Sequence, residues 1–150
     1  MIEIERKFLI KGDFRPFAIR KVSIVQGYLC AEPERTVRVR IKDDSAYLTI
    51  KGPGNENGFS RLEFEYEIPL EDGREMLKLS RQLIEKDRFL VPSGNHTYEV
   101  DVFRGRHKGL IIAELELDSE SESFEKPDWL GEEVTGDERY YNAYLANQID

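Results

Sequence analysis

Eight short stretches of this chain alternate with a period of two, and in seven of them fully charged side chains alternate with apolar ones. Successive strand side chains point to opposite faces, so each stretch divides by parity into two sets. At 2 to 10, Glu3, Glu5 and Lys7 fall in one set and Ile2, Ile4, Arg6 and Phe8 in the other. At 36 to 42, Arg38 and Arg40 oppose Val37, Val39 and Ile41; at 46 to 51, Thr49 and Lys51 oppose Leu48 and Ile50. The stretch 60 to 68 sets Arg61, Glu63, Glu65 and Glu67 against Leu62, Phe64, Tyr66 and Ile68, and 85 to 91 sets Lys86 and Arg88 against Asp87 and Phe89. At 97 to 103, Glu99 and Asp101 oppose Tyr98, Val100 and Val102; at 110 to 117, Glu114 and Glu116 oppose Ala113, Leu115 and Leu117. The eighth stretch, 22 to 29, places Tyr28 on the parity that matches Lys86.

A half-buried antiparallel sheet with one wet face explains any one of these strands. It explains the set poorly. A solvated face mixes Ser, Thr, Gln, Lys and Glu, whereas here the polar set is nearly all Glu, Asp, Arg and Lys, sorted into acidic and basic strands. Eight strands are enough to close a barrel. The expected fold is therefore α+β: a closed, eight-stranded, mostly antiparallel β-barrel with a charged interior, its apolar face covered from outside. Two helices, with Phe14, Phe17, Phe124 and Trp129 from loops, are expected to supply the cover. The first helix is marked by a capping box, Asp72 with Glu75, and by an apolar stripe of Met76, Leu77, Leu79, Leu83 and Ile84. The second is expected from about 137 to 148, packing through Tyr141, Tyr144, Leu145 and Ile149.

A length of 150 residues suits one domain over 1–150. The 35% of charged residues would fit disorder, but aromatic and β-branched residues recur in every segment, as disordered chains lack. A net charge of -8 argues against nucleic-acid and anionic-membrane partners, which reward a basic surface. The single cysteine, Cys30, excludes an internal disulfide, and with only His96 and His107 it leaves a poor ligand set for a Cys/His zinc site. No apolar run approaches a signal or membrane-spanning segment, and a cytoplasmic protein is expected.

Charges inside a barrel cost several kcal/mol apiece unless they are paired, hydrated or bound to ions, on the order given for buried ions in general. A wet channel with cations on some strands and carboxylates on others suits an extended polyanion carrying a divalent metal. Lys and Arg donate to phosphate oxygens, Arg through its planar fork. The acids suit Mg²⁺ or Mn²⁺, hard ions that take oxygen ligands and keep waters.

These residues resemble the CYTH domain or triphosphate tunnel metalloenzyme family. Its ExExK hallmark corresponds to Glu3, Glu5 and Lys7, and the likeness continues through QGYL at 26–29, RVR at 38–40, LTIK at 48–51 and SRLEFE at 60–65. EKDR at 85–88, ELE at 114–116, WLGEEVT at 129–135 and RYYN at 139–142 extend it over nearly the whole chain. The resemblance implies a closed tunnel and metal-dependent hydrolysis or cyclisation of triphosphates. Carried over by position, Lys7, Arg38, Arg40, Lys51 and Arg88 look like a phosphate clamp, and Glu3, Glu5 and Glu116 like ligands of a first metal. Glu63, Glu65, Asp101 and Glu114 are candidates for a second metal or for ordering water, although Asp101 and Glu63 equally suit ion pairs with Lys86 or Arg61. The general base is expected to be a Lys86/Tyr28 pair or a metal-activated water.

The small chain, with no appended domain for a head group, favours an inorganic triphosphatase acting on a small polyphosphate. Thiamine triphosphatase, class IV adenylyl cyclase and a non-catalytic polyphosphate-binding module are the alternatives. Homodimerisation is expected from base rates alone.

Overall fold

The computed structural model describes residues 1–147. All eight expected strands form, and a ninth joins them: β1 (Ile2–Ile10), β2 (Arg20–Glu32), β3 (Arg35–Lys42), β4 (Ser45–Gly54), β5 (Ser60–Ile68), β6 (Leu83–Ser93), β7 (His96–Phe103), β8 (Ile111–Glu116) and β9 (Leu130–Glu133). Helix α1 (Leu70–Leu77) follows β5, and α2 (Asn142–Asn147) follows β9. The strand order β5-β4-β3-β2-β6-β7-β8-β1 closes on itself because Ile2–Ile4 of β1 also pair with β5. Farther along, Phe8 and Ile10 pair with β9, so one edge of β1 serves two partners in turn. Every pairing is antiparallel.

Parity works out as the alternation predicts. Lys7, Arg38, Arg40, Lys86, Arg88, Asp101 and Glu114 are all buried within the barrel. The opposite parity builds an apolar core on the outside of β1, β6, β7 and β8, where Phe8, Val91, Tyr98, Val100, Ala113 and Leu115 meet Phe14, Trp129 and Leu130. Edge-to-face ring pairs, among them Tyr98 with Trp129 at 5.3 Å between centroids, knit this layer, and the Tyr98 hydroxyl donates to the Glu125 carbonyl at 2.6 Å. Loops cover this side, as expected of Phe14, Phe124 and Trp129; Phe17 takes no part, with 59% of its surface in water. Beyond the end of β4 and β5 that α1 covers, their outer face is open, leaving Ile50, Leu62, Phe64 and Tyr66 exposed.

Both helices differ from the sequence expectation. Pro69, not Asp72, is the N-cap of α1, no side chain caps it, and Asp72 lies in the first turn with Glu71, where the helix dipole favours acids. The helix stops at Leu77, Leu79 is exposed, and Leu83 and Ile84 belong to β6, because the barrel needs Ile84 as a buried strand residue. The apolar spacing that reads as one helix is thus a short helix and the start of a strand. At the C-terminus Asp137 caps only a single turn, Glu138–Tyr140, and an extended Tyr141 intervenes before α2. Leu145 of α2 packs on Ile84, Phe103 and Ile112, which share the inward parity of Lys86, Asp101 and Glu114, so α2 stoppers one end of the barrel instead of lying outside. Tyr144 is exposed, and Ile149 lies outside the described residues. Among the described residues no helix is long and apolar enough to cross a membrane.

Helix α1 does pack outside, with Gly73 pressed on β4: a Cβ there would sit 2.6 Å from the Ala46 Cβ. Gly to Ala inside a helix ordinarily stabilises by roughly 1 kcal/mol. Gly73→Ala is expected to reverse that sign and lower the melting temperature, because neither the new methyl nor the Ala46 methyl can rotate away. A higher melting temperature would show that α1 slides freely on β4.

Candidate active site

The barrel register sets the charged residues in rings. Glu5 lies opposite Glu116, Lys7 opposite Glu114, and Glu99 opposite Glu114. Across the sheet Arg88 lies opposite Asp101, and Arg38 opposite Tyr28 on one side and Thr49 on the other. Two spaces result. The first, of about 210 Å³, is walled by Glu3, Glu63, Glu65, Glu99, Glu114 and Glu116 facing Arg38, Arg40, Lys42, Lys51 and Arg88, and exposes no apolar surface. The second is a narrow cavity of about 40 Å³ reaching Glu5, Lys7, Tyr28 and Arg61, closed by Tyr141 and Asn142. Tyr141 and Asn142 reach the tunnel because the β4–β5 hairpin tip docks on the segment after β9: Gly58 (φ 75°) abuts Gly136, where a Cβ would fall 2.5 Å from the Gly136 Cα.

Cations and acids pair selectively. Lys51 Nζ lies 2.7 Å from Glu3 Oε1 and 3.5 Å from Glu63 Oε2. Arg38 donates through Nη2 to Thr49 Oγ1 at 3.1 Å, and that hydroxyl donates to Glu65 at 2.9 Å, but the buried Arg38 Nε has no partner. Arg40 donates to Gln26 Oε1 at 2.8 Å and has no carboxylate partner among the described residues. Burial, then Arg38 and Arg88, push the Arg40 pKa down to about 9. A buried guanidinium without a counterion is a standing invitation to an anion.

The acids on the other wall have the opposite problem. Burial, then Glu114 and Glu3, raise the Glu5 pKa to about 8; burial, then Glu99 and Glu3, raise that of Glu116 to about 7. Glu63 is raised as well, chiefly by burial. Burial pushes Glu114 upward too, but Lys7, Arg88 and Lys86 hold it well below the usual carboxylate range. At Glu5, Glu116 and Glu63 the wall therefore lacks positive charge, and its all-oxygen donor set is the kind Mg²⁺ or Mn²⁺ accepts. Among the described residues no three acids, cysteines or histidines converge into a ready coordination shell. The wall supplies the charge and ligand type for a divalent ion, and its side chains must close in around one.

Lys86 and Asp101 stand apart from the other candidates. Arg88 grips Asp101 with two bonds, Nε to Oδ1 at 2.7 Å and Nη2 to Oδ2 at 2.9 Å, and Lys86 Nζ lies 2.7 Å from Oδ2. Lys86 also donates to Asn142 Oδ1 at 2.9 Å, is 0% exposed, and lines neither space. Its ammonium rests 5.3 Å from the Phe103 ring, above the apolar stopper that α2 completes. Burial, with Arg88 and Arg40 adding repulsion, lowers its pKa to about 7 despite Asp101. Both oxygens of Asp101 are thus taken up by cations.

The spaces gather Lys7, Arg38, Arg40, Lys51, Arg88, Tyr28, Glu3, Glu5, Glu63, Glu65, Glu114 and Glu116. Sequence reasoning passed over Gln26, Asn142 and Lys42. Gln26 donates to Asn142 Oδ1 at 2.9 Å, so one amide oxygen joins β2, β6 and α2. Their signal was present: Gln26 and Lys42 have inward parity, and Gln26 and Asn142 stand within QGYL and RYYN.

A family model, the CYTH domain, matches residues 1–142, ending at that same Asn142. The chain belongs to the CYTH domain family. Among CYTH relatives, an inorganic triphosphatase of Acetivibrio thermocellus is 46% identical over 146 residues, covering 96% of this chain and 92% of that protein. An inorganic triphosphatase of Nitrosomonas europaea is 35% identical over 156 residues, covering 99% of each. A solved structure of an inorganic triphosphatase superposes with a TM-score of 0.66 at 31% identity, covering 98% of this chain and 95% of that one.

Proposed function

We propose that this CYTH chain hydrolyses inorganic tripolyphosphate to pyrophosphate and phosphate inside its tunnel, with a divalent metal. The observation that carries this reading is the all-polar chamber, where five cations on β3, β4 and β6 face six carboxylates on β1, β5, β7 and β8. Its formal charge is near balance, so a polyanion and a divalent cation enter as a pair more readily than either alone. Similarity to two inorganic triphosphatases supports the choice of substrate.

In this reading Arg38, Arg40, Lys51, Lys7 and Arg88 hold the phosphoryl oxygens, and the unpartnered Nε of Arg38 and the charge of Arg40 find their partners there. Glu3, Glu5 and Glu116 hold a first metal, with Glu63, Glu65 and Glu114 available for a second or for orienting water. Bound there, Mg²⁺ or Mn²⁺ would neutralise charge on the transferred group and leaving oxygens. Asp101 falls outside the ligand set, because Arg88 and Lys86 occupy its oxygens, and becomes the residue that aims Arg88. Lys86 acts through Asn142 and Asp101 as a positioning residue, and Tyr28, on the cavity wall, is the side chain placed to orient a water through its hydroxyl.

A second reading, an organic triphosphate such as thiamine triphosphate, draws on a cavity of about 550 Å³ at the mouth beside Tyr141 and Tyr144, where Pro33 and Pro53 add apolar wall. Phosphate release from tripolyphosphate, thiamine triphosphate and ATP, each with Mg²⁺ or Mn²⁺ and with cyclic AMP measured in parallel, decides among these. Tripolyphosphate is expected to be the fastest by far. Saturable tripolyphosphate binding without phosphate release would make the chain a binding module. The proposal includes a cytoplasmic homodimer; the uncovered face of β4 and β5 supports the dimer, and a monomeric mass by light scattering of the assayed sample removes it.

A further inference from the structure

Strand β3 sends a third cation inward after Arg38 and Arg40: Lys42, the last residue before the turn into β4. Lys42, Arg88 and Glu99 line both the polar chamber and a wider cavity of about 520 Å³ beyond it, so the two spaces meet at these side chains. Lys42 is half-buried and takes part in no ion pair among the described residues; its ammonium lies 5.7 Å from the Tyr47 ring centroid. Two of the three acids around this wider cavity are engaged elsewhere. Glu99 pairs with Arg88 at 3.2 Å, and Asp43 with Arg20 at 3.8 Å and with the Ser23 backbone N–H at 3.1 Å. Burial, then Arg88 and Arg40, depress the Lys42 pKa, the mark of a cation crowded by cations.

The two mouths of the tunnel differ in charge balance. The one beside Tyr141 is lined by Glu32, Glu56, Glu138 and Arg61, with Glu32 paired to Arg35 at 2.8 Å. The Lys42 mouth balances Asp43, Asp44 and Glu99 with Arg20, Lys42 and Arg88, and one of those cations is unpaired. A strongly anionic ligand meets less repulsion at the second, where the unpaired Lys42 stands among partly buried walls that screen it less than open water does.

We propose that Lys42, with Arg40 and Arg88 behind it, forms a phosphate-binding position at the β3–β4 mouth, where an incoming polyphosphate lands before it moves on to the clamp. A lysine suits such a landing point, because its compact, flexible ammonium holds phosphate as a point charge without the planar fork that would fix it. The inference rests on the triphosphatase reading for its substrate, and on the unpaired cation for its location.

The test compares wild type with Lys42→Gln and Lys42→Arg on tripolyphosphate over a range of salt. Lys42→Gln is expected to lower kcat/KM about tenfold, as one lost charge-assisted contact does. Its kcat stays within about twofold, because the interaction precedes the chemical step. The salt dependence of kcat/KM becomes shallower, and Lys42→Arg recovers most of the loss. Inorganic phosphate, titrated calorimetrically, binds Lys42→Gln more weakly than wild type. A kcat/KM within about twofold of wild type with unchanged salt dependence, or a loss carried wholly by kcat, overturns the proposal. Should wild type release no phosphate from tripolyphosphate, the triphosphatase reading fails by itself, and equal phosphate binding by wild type and Lys42→Gln then overturns this site independently.

Discussion

Glu5→Gln is expected to stop metal-dependent phosphate release and, in the same protein, to raise the melting temperature of the metal-free state at pH 8. The two effects share a cause. Glu5 is largely shielded from water opposite Glu116 and close to Glu114 and Glu3, and that desolvation and repulsion lift its pKa to about 8 from an ordinary 4.5. A carboxyl whose folded pKa lies above its unfolded one holds its proton more firmly when folded, so its stability contribution is intact below about pH 4.5 and is lost as pH rises toward 8. Gln keeps the shape and removes the charge, so the variant escapes that loss. It matches wild type near pH 4 and gains on it up to about pH 8, the folded pKa of Glu5. The loss of catalysis should be on the order of 10²-fold or more, the scale seen when one preorganised electrostatic group is removed from an active site. Melts in EDTA at pH 5 and pH 8, with and without added Mg²⁺, check both halves. Wild type should gain more from Mg²⁺ at pH 8 than at pH 5, and the variant should gain little at either. Retained activity, or a lower melting temperature in EDTA at pH 8, would remove Glu5 from the metal site.

Parity made the barrel legible, because a one-residue slip in any strand would bury the opposite set. That logic extends to every strand with full charges on one face, and it placed the inward cations and carboxylates from sequence alone; their roles as clamp and metal ligands are what the family resemblance implies. It fails where the signal is short or shared. The strand Leu130–Glu133 has four residues, too few to show alternation, and pairs only with the far half of β1. Leu83 and Ile84 fit a helical stripe continuing Met76 and Leu79, and only closure of the barrel, which takes Ile84 into β6, decides between the periods. Gln26 and Asn142 carry no charge, so a reading built on ionic residues passed over the amides that join Arg40 to Lys86. Whether a carboxylate faces a metal or a cation depends on register, and the pairing of Arg88 with Asp101 becomes visible only once β6 and β7 are aligned.

That pairing sets the second large effect. Asp101→Ala is expected to be among the most damaging single substitutions to the fold, because it strands Arg88 and Lys86 in the interior with one carboxylate fewer. Removing one member of a buried ionic group costs about 3–5 kcal/mol, which for a domain of this size lowers the melting temperature by on the order of 10 °C. The deficit should depend on pH in a defined direction. The folded pKa of Lys86, about 7, lies below its ordinary 10.5, so between those values the unfolded chain binds the extra proton and this group favours folding increasingly as pH rises. Without Asp101 the Lys86 pKa falls further, the ammonium gives up its proton sooner, and part of the deficit disappears by pH 9. Arg88 cannot follow, since guanidinium keeps its proton, so a remainder persists. Lys86→Met placed in the Asp101→Ala background removes one stranded cation for good, and the double variant should be more stable than Asp101→Ala alone at pH 7, with the difference shrinking toward pH 9. A double-mutant cycle by thermal melts measures this coupling directly. Losses that simply add, at every pH, would show that the three side chains do not act as one buried unit, and the account of Asp101 as the group that aims Arg88 would fail with them.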